Sequence, residues 1–250
     1  MTGLKLMKFL ALFALVLLAG PITAALGGLT TIGADWRSAS RDSVGIAPDP
    51  ALAREPIIQV YGARAFAWRG AFAVHTWISV KRSGAASFTT YQVIGWRHWH
   101  GLQALAAHDG PPDRRWFGAR PELYVDLRGA GIEAVIDKVE AAVAAYPFRD
   151  AYRTWPGPNS NTFTAHVARA VPELGLDLPP TAIGKDYLGA RTFVARAPSG
   201  TGYQVSLFGV LGLLVALEEG LEINLFSLGF GIDPLDLALR LPGLGRIGAS

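Results

Sequence analysis

The 250-residue chain has no cysteine, which excludes disulfides, thiolate metal sites and a cysteine nucleophile, and removes the usual guide to redox compartment. Charge is sparse as well. Asp, Glu, Lys and Arg make up 17 % of the residues, and 23 basic against 20 acidic side chains leave a formal charge of only +3. So small an excess gives no electrostatic footprint for nucleic acid, and nucleic-acid binding is not indicated. Disorder is excluded too, because half of the residues are hydrophobic and the mean hydropathy is +0.27. A chain of this length forms one large domain or two small ones, and no internal repeat or low-complexity tract divides it.

Part of the apolar excess is concentrated near the N-terminus. Lys5 and Lys8 precede an apolar run over 9–19, which is followed by Gly20, Pro21 and small residues through Ala25. That order matches a secretory signal; an uncleaved anchor over 4–26, about 20 residues long, fits the same stretch. Residues 1–29 are therefore expected to be a signal peptide or membrane anchor, with the membrane as the partner of this segment. The lysines on its N-terminal side place the remainder outside the cytoplasm. The expected location is the cell envelope, membrane-anchored or secreted to the periplasm, and the lack of a cysteine excludes a lipoprotein. Residues 30–56 are polar and turn-rich around Pro48, Pro50 and Pro56, the pattern of a linker. Residues 57–250 are expected to form a single α+β domain, an antiparallel sheet with packed helices.

Within that domain, β-branched and aromatic residues predict strands over 57–61, 72–80 and 122–127. After a turn over 81–86, another strand is expected over 87–100, with Trp96, His98 and His100 on one side. The stretch 102–108 is ambiguous, and 109–112 reads as a loop. Ile132, Val135, Ile136, Val139 and Val143 recur at helical spacing, predicting a helix over 131–146. Two prolines and Gly157 keep 155–158 out of a helix, after which Asn159 or Ser160 can cap a helix over 161–170. Later strands are expected over 191–194 and 203–207. The apolar stretch 205–217 is too short to span a bilayer and fits buried core or an interfacial segment.

The chemistry centres on two residues. Ser160 stands where the turn becomes a helix, so free amides and the positive end of the helix dipole would favour an alkoxide or oxyanion there. His75 is a strand-borne imidazole that can serve as its base in nucleophilic acyl transfer. The alternative is a helix cap and a hydrogen-bonded core histidine. His98 and His100, two apart on the expected strand, can orient His75 as a third triad member or point at one metal, although an aromatic half-exposed strand explains them too. Glu218, Glu219, Glu222 and Asp233 can act as acid and base or simply mark a turn. Gly243, Gly245 and Gly248 match a dinucleotide fingerprint by letter, but no helix follows, and that reading is rejected. No cofactor is implied.

His75 within Ala73–Ile78, the Gly157–Phe163 segment and the tail around Glu219–Asn224 with Gly231–Asp233 resemble the bacterial domain-of-unknown-function 3750 family, which has no assigned activity. More distantly, Asn159-Ser160-Asn161-Thr162-Phe163 is similar to the nucleophile motif of permuted papain-like proteins of the NlpC, lecithin:retinol-acyltransferase and deSUMOylating-isopeptidase types. In those groups a strand histidine works with a cysteine at a helix start; here Ser160 replaces the cysteine. The resemblance implies a permuted papain-like groove lined by Asn159, Asn161, Trp77 and Trp96. It would hold a peptide or lipid without turnover, or act through Ser160 and His75 as a hydrolase or acyltransferase. A hydroxyl is far less acidic than a thiol, so the cysteine chemistry itself does not transfer.

Overall fold

The computed structural model describes residues 3–248; Met1, Thr2, Ala249 and Ser250 lie outside the described residues. The first helix, α1 (Gly3–Leu26), is long and apolar enough to cross a membrane. This is consistent with a membrane anchor or a signal peptide. Most of it is exposed, but Pro21 and Ala24 near its end are buried against the body of the protein.

The centre of that body is a five-stranded antiparallel sheet of order β4-β3-β2-β1-β5. It comprises β1 (Ile57–Arg64), β2 (Val74–Lys81), β3 (Phe88–Val93), β4 (Leu105–Gly110) and β5 (Glu122–Arg128). Strand alternation sorts its two faces. Ile58, Val60, Val74, Ile78 and Val80 join the large core beneath α3 (Ile132–Ala144) and α4 (Ser160–Ala170). Tyr61, Ala63 and Trp77 point the other way, into a smaller cluster closed by Trp116, Ala119 and Ile46. Because β1 and β2 are covered on both faces, they are buried almost throughout.

Three expectations change here. The strand expected over 87–100 ends at Val93, and Gly95–Trp99 forms a short helix, α2, so His98 and His100 are not strand neighbours. The chain must reverse within these residues because β4 pairs back along β3, and Gly101, at φ 72°, takes the turn. The loop expected at 109–112 begins later for the same reason, with Asp109 and Gly110 in the β4 ladder. The stretch 30–56 has no helix or extended strand, yet it is not a free linker. Ser40, Asp42 and Val44 exchange backbone hydrogen bonds with Gly118, Arg115 and Asp113, laying this segment along the small cluster.

After α4 the chain builds a second sheet, a seven-stranded meander of β6 (Val194–Arg196), β7 (Gly202–Leu207), β8 (Leu211–Ala216), β9 (Gly220–Leu225), β10 (Leu228–Asp233), β11 (Ala238–Leu241) and β12 (Gly245–Ile247). The stretch 205–217 is thus a hairpin. Its sidedness is the reverse of an ordinary sheet: Gln204, Ser206, Glu222, Asn224 and Arg240 are buried, while Val205, Leu213 and Ile223 are exposed. The buried polar side is held by ions. Lys185 Nζ lies 2.8 Å from Glu222 Oε1 and donates to Oε2 at 2.9 Å. Arg240 Nε donates to Glu222 Oε2 at 2.9 Å, and its two terminal nitrogens grip Asp177 at 2.6 Å each. Burial alone would raise the Glu222 carboxyl, but the Lys185 and Arg240 charges outweigh it and hold it below the usual carboxylate range. Gly231 lies between Glu222 and Arg240 in the ladder; a Cβ there would stand 3.3 Å from Arg240 Cδ, so its bare backbone lets the two side chains meet.

This cluster sets the first prediction. Glu222→Ala leaves the buried Lys185 without its ion-pair partner and Arg240 with Asp177 alone, and is expected to cost about 3–5 kcal/mol of stability. Asp137→Ala, which removes one solvent-facing partner of Arg82, is expected to cost under about 1 kcal/mol. Denaturant unfolding of the two variants checks the contrast.

Candidate functional site

The start of α4 is fixed by two asparagines. Asn159 Oδ1 accepts from Asn161 N at 2.9 Å and Thr162 N at 3.2 Å, while Thr162 Oγ1 accepts from Asn159 N at 3.1 Å, a reciprocal capping arrangement. Phe163 N donates to Asn159 O. Of the amides of this first turn, that of Ser160 alone has no partner among the described residues. The cap fits because position 184 is glycine, at φ 101°, where a Cβ would overlap the Asn159 carboxamide. Asn161 faces the sheet: Nδ2 donates to Val74 O at 3.0 Å and Ile183 O at 2.8 Å, and Oδ1 accepts from Thr76 Oγ1 at 2.9 Å. Both carboxamides, expected from the sequence to bind a ligand, are occupied in framing the site.

The two strand residues that Asn161 holds flank His75. The His75 ring packs flat against Trp116, with centroids 3.6 Å apart at 9°, and its Nε2 meets Gln92 Oε1 at 2.8 Å. With the Gln92 oxygen facing it, Nε2 carries the ring proton and Nδ1 keeps its lone pair. Burial lowers the pKa of His75 to about 4, opposed only in part by the Gln92 bond, so the ring is neutral at ordinary pH.

His75 and Ser160 line one cavity of about 230 Å³, walled by Trp116, Trp96, Phe66 and Tyr152. The Ser160 hydroxyl has no hydrogen-bond partner among the described residues and is not among the buried unpaired atoms. A second cavity of about 180 Å³ shares the Trp96 and Trp116 walls and continues past Gln92 and Trp77 to His108 and Arg114. Trp77 belongs to this second space, where its Nε1 donates to Pro112 O at 2.8 Å. His98 and His100 line neither cavity. His100 Nδ1 instead donates to Trp96 O at 2.7 Å, closing α2. The position beside His75 that these residues were expected to fill belongs to Gln92. Among the described residues no three His, Asp or Glu side chains come together as metal ligands. Glu219 accepts from Ser199, and Asp233 faces Arg246, so these acids are partnered within the second sheet.

Sequence reasoning missed Gln92, Trp116 and Asp113. Asp113 pins the loop that carries Trp116. Its carboxylate accepts from Ser43 Oγ at 2.6 Å, Ile46 N at 2.7 Å and Ala47 N at 3.2 Å. Burial raises its pKa, but these donors outweigh that and hold the group ionised below the usual range. Gln92 had a legible signal: a lone amide on β3, on the face of the sheet to which His75 points. Trp116 sits in an irregular loop and had none.

The depressed His75 pKa fixes the sign of a pH effect. The unfolded chain binds a proton at His75 near pH 6.5 that the folded protein takes up only near pH 4. Stability is therefore full above about pH 6.5 and falls as the pH drops toward 4, by about 3 kcal/mol from this group. The pH-dependent stability loss between pH 6.5 and 4 is expected to shrink by that amount in His75→Gln, as read by urea unfolding at several pH values.

The same region of the chain is the one that comparison with known proteins recognises. A family model described as "Protein of unknown function (DUF3750)" matches residues 55–187, from the start of the five-stranded sheet through α4 to Tyr187. No curated protein and no solved structure matches the chain. With more than half of its length matched, and with His75, Gln92 and Ser160 all inside the match, the chain belongs to the DUF3750 family.

Proposed function

We propose that this is a membrane-associated cell-envelope protein whose cavity performs acyl transfer on an amide or ester, with Ser160 as nucleophile and His75 as general base. The observation that carries this reading is that both residues open onto one cavity, with the His75 lone pair on the nitrogen that Gln92 leaves free. Ser160 Oγ attacks the substrate carbonyl carbon while its proton passes to His75 Nδ1. The oxyanion accepts from the Ser160 amide, the one left unpaired at the helix start. Collapse breaks the bond to the amine or alcohol, which departs with the proton from His75. Water, or a second hydroxyl or amine, then repeats the sequence and releases the acyl group. Gln92 holds the imidazole in the productive tautomer, the role that an orienting group plays in a triad. The order of histidine before nucleophile and the Asn159–Phe163 motif keep the resemblance to permuted papain-like proteins, with a serine where they use cysteine. Aromatic walls suit a substrate with an apolar segment, a lipid or a lipidated peptide.

A second reading is favoured by one observation. His75 is only 7 % exposed beneath Trp116, and a groove so covered would hold a peptide or lipid without turning it over. Labelling of the full-length protein with a fluorophosphonate separates the two. The acyl-transfer reading expects labelling that Ser160→Ala abolishes, that His75→Ala slows by about 10²–10⁴-fold, and that Gln92→Ala slows by roughly tenfold. No labelling of the wild type, with ligand-dependent protection of the Trp116 fluorescence, is the result for the binding module.

A further inference from the structure

The second sheet presents an apolar face away from the protein. Cross-strand pairing aligns Ile247, Leu239, Ile232, Leu221, Val215 and Tyr203 into one rung across six strands. Each of these side chains is 40–64 % exposed. A parallel rung runs from Phe230 through Ile223 and Leu213 to Val205 and Val194. At the outward positions of β7 to β11 no charged residue stands among the described residues; Glu218 and Asp236 lie at the turns. From strand spacing and rise, the face covers roughly 500 Å², at the upper end of what a soluble monomer exposes. Accident does not explain it, because the polar residues that alternate with this face are turned inward and buried, with Glu222 and Arg240 paired in the ion cluster. The pattern is that of a sheet whose outer surroundings are apolar.

What lies next to this sheet identifies those surroundings. The end of α1 is seated on the β11–β12 turn: a Cβ at Gly20 would overlap the Pro242 carbonyl, and one at Gly243 would overlap the backbone of Pro21. Arg64 Nη1 donates to Gly243 O at 2.5 Å, tying the same turn to β1. The helix that suits a bilayer therefore ends on one edge of the sheet, and the apolar face begins there. Strands of three to six residues are too short to span a membrane, and open edges are not tolerated within hydrocarbon. A sheet of this kind can lie in the interface, with its backbone bonded between strands and its outer side chains among the lipid headgroups and upper acyl chains.

We infer that the outer face of the seven-stranded sheet is a second membrane contact that lies flat on the bilayer beside α1. This rests on α1 being retained as an anchor. It also brings the body of the protein close to the lipid phase from which an acylated substrate would come. The sheet lies beyond the residues that the family model matches, so the tail around Glu219–Asn224 and Gly231–Asp233 falls outside that match.

The absence of cysteine makes the test clean. Full-length protein carrying single substitutions Leu213→Cys, Val215→Cys or Ile223→Cys, with Asp137→Cys on α3 as the control, is labelled with a polarity-sensitive fluorophore and reconstituted into vesicles of phosphatidylcholine and phosphatidylglycerol. The expected result is a blue-shifted emission at the three sheet positions, quenched several-fold more by spin-labelled lipid than by aqueous iodide, with the opposite preference at the control. Equal iodide quenching at all four sites, while the protein remains in the vesicle fraction through α1, overturns the inference and leaves the anchor intact. Protection from iodide that is unchanged in detergent and accompanied by a doubled mass overturns it in favour of a second copy of this chain. Neither result bears on labelling at Ser160.

Discussion

One carboxamide holds the arrangement together. Asn161, the residue after Ser160, donates to Val74 O and Ile183 O and accepts from Thr76 Oγ1. Val74 and Thr76 are the neighbours of His75 on β2, so a single side chain sets the helix start and the strand histidine in one frame. Asn161, Val74 and Thr76 are buried, and an unpaired polar group in such surroundings costs about 1–3 kcal/mol. The geometry is therefore enforced from beneath. Asn159 completes the frame by absorbing two of the amides that follow Ser160, which leaves the Ser160 amide without a partner among the described residues.

The frame also explains the imidazole. Because Val74 and Thr76 face the helices, His75 projects from the opposite face of β2, where Gln92 takes its Nε2 and Trp116 covers the ring, and it shares space with Ser160 in the cavity that both line. That cover is not loose. Trp116 belongs to a loop held through Asp113 to residues 43–47, and Arg41 lies 4.3 Å over the neighbouring Phe117 ring. A segment with no regular structure thus shields the imidazole from water, and the desolvation it imposes is what keeps the ring neutral. The second sheet uses the same physics in another place, since the Lys185, Glu222, Arg240 and Asp177 ions let a sheet with a polar inner face pack against the protein.

Much of this was legible in the sequence. The period of Ile132 through Val143 gave α3 within two residues, and Pro156, Gly157 and Pro158 before Asn159 located the start of α4. His75 could be placed on a strand and Ser160 at a helix start because strand pattern and turn chemistry act locally. What failed was long-range. His98 and His100 look like strand residues until β4 pairs back on β3 and forces the chain to turn, and nothing local announces that. Residues 30–56 resembled a linker because their order comes from Asp113, far along the chain. Of the second sheet only strands over 191–194 and 203–207 were expected, because its alternation is inverted and period alone does not tell which face is inside.

The central claim is that His75 acts on whatever nucleophile occupies position 160, and it can be read without knowing the substrate. Ser160→Cys places the only thiol of the chain at the helix start, and its alkylation rate by iodoacetamide, followed across pH, reports whether the imidazole takes its proton. Alkylation at pH 7 is expected to be at least about tenfold faster than in the Ser160→Cys, His75→Ala double variant, because the neutral imidazole takes the thiol proton as the sulfur reacts. Equal rates in the two proteins, both rising only as an ordinary thiol ionises, would contradict it.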